Sequence, residues 1–299
     1  MTQDNKLAQT LNTEWRKPAI CLCGQYQNGK STFLNCLLGG YYAAEGDGTA
    51  TTVYKSRYTF GDILSAKVIY SDGTAGELEY PSLFQTKVDM PKDSSLKIQL
   101  YSPTLEDMDI LDTPGIGFSE AGDELAENAA KSADFIIYMV RKELYADSDI
   151  PFLENLMRHG KNFSVILNCY NDSLPDSEFV KDLCQEIASA IRAHKLDNNY
   201  IPLSKELPVY PVNLLFAKAA LGYCPPGEQK KNWNKTLSFI DREISRDMVL
   251  NLSNFMPLRR LLGKFVCNLF HYTPNPYLDI MTNLAERWAS ALSTALKRS

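Results

Sequence analysis

Short apolar runs alternate along this chain with longer stretches whose apolar residues recur every three or four positions. The first pattern marks buried strands and the second amphipathic helices, and their alternation predicts an α/β fold with a doubly wound, mostly parallel sheet. Strands are expected at 18–24 (PAICLCG), 52–60 (TVYKSRYTF), 96–102 (LKIQLYS), 108–112 (MDILD), 134–140 (DFIIYMV), 163–168 (FSVILN) and 208–212 (PVYPV). Helices are expected at 30–40, 122–133, 148–160 and 177–195. Between the second and third strands, 66–81 reads as an inserted hairpin turning on Asp72 and Gly73.

Both termini carry helical stripes. Leu7, Leu11 and Trp15 share one face of a short helix that Pro18 ends, and Leu278, Met281, Leu284, Trp288, Leu292 and Leu296 line another. Ser253 and Pro257 look like the start of a helix running through 258–270. The expected organisation is therefore an N-terminal helix at 1–15, a domain at 16–270 and a C-terminal helix at 271–299, the two helices flanking the sheet domain.

Composition narrows the partners. The 299 residues carry a net charge of -5, which gives no overall field to hold a polyanion, so nucleic acid is not expected. The seven cysteines are odd in number and form no CxxC pair, which suggests reduced thiols in a cytoplasmic protein. The amino terminus has no signal-peptide pattern, and no apolar run is long enough to span a bilayer, so any membrane contact is expected to be peripheral. His159, His194 and His271 fit no metal-ligand spacing.

The chemistry begins at Gly24 to Ser31. GQYQNGKS satisfies GxxxxGK[ST], and it follows an apolar strand and opens a helix, the context of a P-loop NTPase. Gly24 and Gly29 let the backbone aim N–H groups at phosphate, and the helix amino terminus adds positive potential. Lys30 is expected on the β- and γ-phosphates and Ser31 on magnesium. Gln25, Asn28 and Thr32 complete the nucleotide-binding run. Tyr26, Gln27 and Asn28 are candidates for stabilising charge near the γ-phosphate, with Gln27 grouped with Lys30 and Thr52 as catalytic.

LDTPGIG supplies the second signal. Asp112, at a strand end, is expected to hold magnesium, and the Gly115 N–H to sense the γ-phosphate. Between the motifs, GDGTATTVYKSRY offers a threonine to close over the metal: Thr52 first, then Thr51, then Thr49. The base-reading segment departs from NKxD. If Asn168 heads it, Asn171 takes the Asp position; if Asp172 reads the base, Cys169 stands where the Asn belongs. An Asn there loses the strength of a charge-assisted hydrogen bond. Asn213 falls where a backbone loop meets the guanine oxygen. Ile116 occupies the place of a water-orienting glutamine, so slow turnover by the lone chain is expected.

These motifs, with the SDGT hairpin, ADFIIYMVRKEL, PVNLLFAKAAL and SNFMPLRRLLGKF, resemble the GTPase domain of dynamin-like proteins, especially the bacterial ones, from about Trp15 to Phe270. The resemblance implies a magnesium-dependent enzyme that binds GTP and GDP and hydrolyses GTP. It also implies a homodimer across the nucleotide face that stimulates hydrolysis, and association with a membrane or a partner protein. Two other readings stand beside it: a nucleotide-gated dimerisation module with negligible turnover, and a P-loop ATPase.

Overall fold

The computed structural model describes residues 17–45, 54–78, 91, 94–117, 119–169, 174–222 and 245–269. Its strands are β1 (Ala19–Gly24), β2 (Ser56–Phe60), β3 (Ser65–Ile69), β4 (Ala75–Leu78), β5 (Ser95–Leu100), β6 (Asp109–Asp112), β7 (Phe135–Val140), β8 (Phe163–Asn168) and β9 (Tyr210–Val212). Its helices are α1 (Lys30–Leu38), α2 (Pro103–Asp107), α3 (Glu120–Ser132), α4 (Asp149–Arg158), α5 (Glu178–Ala193), α6 (Leu214–Leu221), α7 (Arg246–Leu252) and α8 (Phe255–Leu269).

The strands form one sheet in the order β4-β3-β5-β2-β6-β1-β7-β8-β9. From β6 through β9 every ladder is parallel. β2 runs antiparallel to β6, and β5 runs parallel to β2. The β3–β4 hairpin extends this half, with Asp72 Oδ1 accepting the Thr74 N–H at 2.8 Å and Gly73 in the left-handed region at φ 84°.

Alternation along the central strands sends side chains to two cores, because successive residues of a strand face opposite ways. Ile20 and Leu22 of β1, with Phe135 and Ile137 of β7, pack with Phe33 and Leu34 of α1 and with Phe255 and Leu258 of α8. Cys21 and Cys23, with Ile136 and Tyr138, pack on the other face with Ala126 of α3, Leu153 of α4 and Ile187 of α5. The runs that read as continuously apolar are thus buried on both sides, as parallel sheets require.

The structure revises several boundaries. The strand expected at 52–60 begins at Ser56, with 52–53 outside the described residues. The strand expected at 96–102 stops at Leu100, since Ser102 and Pro103 open α2, where Pro has no donor to lose. β9 starts two residues later than expected, at Tyr210; Pro208 cannot donate to a ladder, whereas Pro211 is accommodated on this edge strand. The helix expected from Ser253 is α8, and a further helix not expected from the sequence, α7, precedes it. α7 ends at Ser253 and Asn254 adopts φ 59°, its amide donating to Pro211 O at 2.9 Å and accepting from the Tyr210 hydroxyl at 3.2 Å. That pin to β9 breaks the helix, and α8 restarts with Ser253 Oγ accepting the Phe255 N–H at 3.1 Å. The N-terminal and C-terminal stripes, Leu7 to Trp15 and Leu278 to Leu296, lie outside the described residues, as does His271. Among the described residues, no helix is long and apolar enough to cross a membrane.

Candidate functional site: a phosphate-binding loop at the strand ends

β1, β6 and β8 end at the same edge of the sheet, on Gly24, Asp112 and Asn168. Chain order reverses around β1, and such a switch point leaves a crevice beyond the carboxyl ends of the strands. Residues 24–31 fill that edge. Gly24 has φ 139°, and a Cβ there would meet Met139 O at 2.3 Å; Gly29 has φ 92°, and a Cβ would meet Asn168 Nδ2 at 2.5 Å. Only glycine fits either position, on conformation and on space.

The loop is held from several sides. Asn28 Nδ2 donates to Met139 O at 2.8 Å, and Asn168 Nδ2 donates to Asn28 O at 3.1 Å. Gln25 Nε2 donates to Ser148 Oγ at 2.7 Å. Lys30, which opens α1, donates through Nζ to the carbonyls of Gly24 and Gln25, each at 2.9 Å. Burial lowers the Lys30 pKa, opposed first by the negative charge of Asp112. Gln27 is the exposed member of the loop and holds a left-handed φ of 65°, an unusual conformation for a side-chain-bearing residue. Ser31 and Thr32 follow in the first turn of α1, half-buried.

Residues 112–116 are zippered onto this loop. The Ile116 N–H donates to Gly24 O at 3.2 Å and the Tyr26 N–H to Ile116 O at 3.4 Å. A Cβ on Gly115 would meet the Tyr26 backbone at 2.6 Å, so the close approach requires glycine. Thr113 Oγ1 donates to Leu22 O at 2.8 Å. The Ile116 side chain is buried in the second core. Ser31 and Asp112 offer a hydroxyl and a carboxylate close to Lys30, a donor set that fits magnesium, which takes few protein oxygens and keeps phosphate and water for the rest. Among the described residues, no three His, Cys, Asp or Glu side chains gather as an independent metal cage.

On the base side, Asn168 Oδ1 accepts the Leu214 N–H at 3.4 Å, so one amide spans the loop and the start of α6. Cys169 is buried in the second core, and burial pushes its thiol up to about 12. Asn213 is fully buried and caps α6, its side chain accepting the Phe216 N–H at 3.0 Å. Asn171, Asp172, Thr49, Thr51 and Thr52 lie outside the described residues. The segment leading toward those threonines is braced: Asn35 Oδ1 accepts from the Tyr42 and Ala43 N–H groups, Asn35 Nδ2 donates to Glu45 at 2.9 Å, and Glu45 forms an ion pair with Lys218 of α6.

Sequence reasoning passed over α2, α6 and α7, and with them the capping role of Asn213 and the Glu45–Lys218 pair. It also missed Tyr138, Ser148 and Asp149. One signal was available: a tyrosine inside FIIYMV needs a partner for its hydroxyl when the strand is buried.

Fold and site together define a P-loop nucleotide-binding domain. The Dynamin family model matches residues 20–169, and the chain belongs to that family as a GTPase domain. It is 27% identical over 204 residues to the probable transmembrane GTPase FZO-like, chloroplastic, of Arabidopsis thaliana, covering 68% of this chain and 19% of that one. It is 29% identical over 141 residues to interferon-induced GTP-binding protein Mx1 of Rattus norvegicus, covering 42% of this chain and 21% of that one. The chain thus spans about a fifth of the length of these relatives. A solved structure of an oligomerised bacterial dynamin pair shares the fold at TM-score 0.54 and 16% identity, covering 99% of this chain and 48% of that one.

Proposed function

We propose that this domain, working as a unit over 16–270, binds GTP with magnesium and hydrolyses it, and that pairing of two copies across the nucleotide face accelerates the reaction. Water attacks the γ-phosphorus in line with the departing GDP oxygen, and inorganic phosphate leaves. Lys30 neutralises charge on the β- and γ-phosphates, and the amino terminus of α1 presents N–H groups to them. Ser31, Asp112 and Thr52 would hold magnesium, which would supply charge neutralisation at the transferred group. The Gly115 N–H meets the γ-phosphate, and Gln27, exposed at the loop tip, faces developing charge. Asn168 heads the base-reading segment, which puts Asn171 in the place of the usual carboxylate.

The observation that carries this reading is the joining of the two motifs: Gln25 and Ile116 pair as a parallel bridge while Lys30 feels the charge of Asp112. A nucleotide-gated dimerisation module with negligible turnover draws on a different observation, the burial of Ile116, which leaves no side chain at that position to orient water. The setting is cytoplasmic, with peripheral association at a membrane or a partner protein.

Calorimetric titration with magnesium and non-hydrolysable GTP and ATP analogues tests the base. Tight GTP binding without ATP binding is expected, and equal or reversed affinities overturn the guanine assignment. Specific activity rising with protein concentration is expected for dimer-stimulated hydrolysis, and an activity of zero at every concentration leaves the module.

A further inference from the structure

Gln25, the second residue of the phosphate-binding loop, gives its side chain to the protein. Its Nε2 donates to Ser148 Oγ at 2.7 Å, its carbonyl receives Lys30 Nζ at 2.9 Å, and its backbone bridges Ile116. One residue therefore touches the phosphate-binding lysine, the DTPG loop and the start of α4.

Ser148 precedes Asp149, whose carboxylate the Gln25 amide also meets. Asp149 is completely buried, and its Oδ1 accepts the Tyr138 hydroxyl at 2.6 Å while its Oδ2 accepts the Tyr145 N–H at 2.9 Å. A carboxylate this deep survives only with its oxygens engaged, so its position is firmly specified. Tyr138 lies beside Cys23 in the β1–β7 register, next to the residue that begins the loop. The chain of contacts thus closes from β7 through Asp149 and Ser148 to Gln25 and back to β1. Burial raises the Asp149 pKa, while hydrogen bonds from Tyr138, Tyr145 and the Gln25 amide and the charge of Lys30 draw it down, so the carboxylate lies within reach of both Gln25 and the lysine.

We propose that Gln25, Ser148 and Asp149 are positioning residues that brace the phosphate-binding loop. None touches nucleotide through its side chain; together they fix the Gln25 peptide so that its carbonyl faces Lys30 and the following N–H groups face phosphate. This rests on the nucleotide-binding reading above. A loop freed at Gln25 must be ordered by the ligand itself, and affinity falls by the cost of that ordering.

The test is a double-mutant cycle on the full chain, read by titration with a fluorescent non-hydrolysable GTP analogue and magnesium, with melting temperatures measured in parallel. Q25L and S148A should each weaken binding about five- to tenfold, the worth of one hydrogen bond, and the double variant should be no worse than either alone. S148T, which keeps the hydroxyl, should recover most of the affinity. Both singles should melt close to the wild type, whereas D149N is expected to weaken binding and also lower the melting temperature. Independent, additive losses from Q25L and S148A would overturn the brace, as would a loss seen in Q25L with S148A and D149N both binding as the wild type, which would make Gln25 a direct ligand. Wild-type binding with both singles unchanged also overturns it. A wild-type chain that binds neither GTP nor ATP analogue removes the site reading and the brace with it.

Discussion

Asn168 Nδ2 stands 3.1 Å from the carbonyl oxygen of Asn28, while Asn168 Oδ1 receives the Leu214 N–H at 3.4 Å. The last residue of β8 thereby couples the phosphate-binding loop to the helix that follows β9. N168A removes both bonds. Affinity for GTP should fall by about tenfold or more, with a modest loss of stability, as measured by calorimetry and chemical denaturation. Unchanged affinity would separate the loop from the base side.

Lys30 is desolvated, and its pKa is lowered in consequence. Its charge is therefore held at a cost to folding. K30M should reduce GTP hydrolysis at least about a hundredfold. Its unfolding free energy should stay level or rise, because the buried amine is gone. Hydrolysis retained in K30M would refute the catalytic assignment.

Gly24 combines φ 139° with a backbone so close that a Cβ would lie 2.3 Å from Met139 O. G24A must push β1 from β7 at the loop, and a loss of more than about 3 kcal/mol in unfolding free energy is expected, with nucleotide binding abolished. Wild-type stability in G24A would mean that the strand ends separate at little cost.

Glu45 and Lys218 form an ion pair whose side chains are about nine-tenths buried on both partners. Removing one partner leaves the other charge in a poor solvent. K218A should cost about 3 kcal/mol, read from denaturant midpoints, and E45A/K218A should cost less than the sum of the singles. Additive losses would show that the pair does not interact.

Asp149 titrates above its ordinary value of 3.8 because it is buried. The folded chain therefore holds this proton more tightly than the unfolded chain. Stability linked to the group is fullest below pH 3.8 and is lost as pH rises through the folded pKa. D149N carries no such proton, so its unfolding free energy relative to wild type should shift in its favour as pH rises from 3.8 through the folded pKa. A difference that stays flat across that range would contradict the raised value.

Much of the fold was legible because its signals are local. The runs AICLCG and FIIYMV must be buried on both faces, and the alternation of such runs with three- and four-residue periodicity leaves a doubly wound sheet as the arrangement that covers them. GQYQNGKS and DTPG were legible for the same reason: phosphate chemistry needs particular residues at close spacing. What could not be read were relations between distant segments. A sequence has no means of stating that Asn254 bonds to Pro211, and so the start of a helix at Ser253 was legible while the pin to β9 and the short α7 before it were not. Nor does it say which register of NCYND meets the loop; the reach of Asn168 to Asn28 is a distance, set by the parallel pairing of β7 with β8 and the turn at Gly29.

The sequence by itself determined the class of chemistry, because glycines, a lysine and a hydroxyl at fixed spacing bind phosphate in whatever larger fold presents them. Only the tertiary structure decided which side chains of the loop are committed to the rest of the protein. Gln25 belongs to the motif by position, yet its amide is committed to Ser148, a residue more than a hundred positions away. Hydrogen bonds are made in space, and chain folding alone brings those two atoms to 2.7 Å.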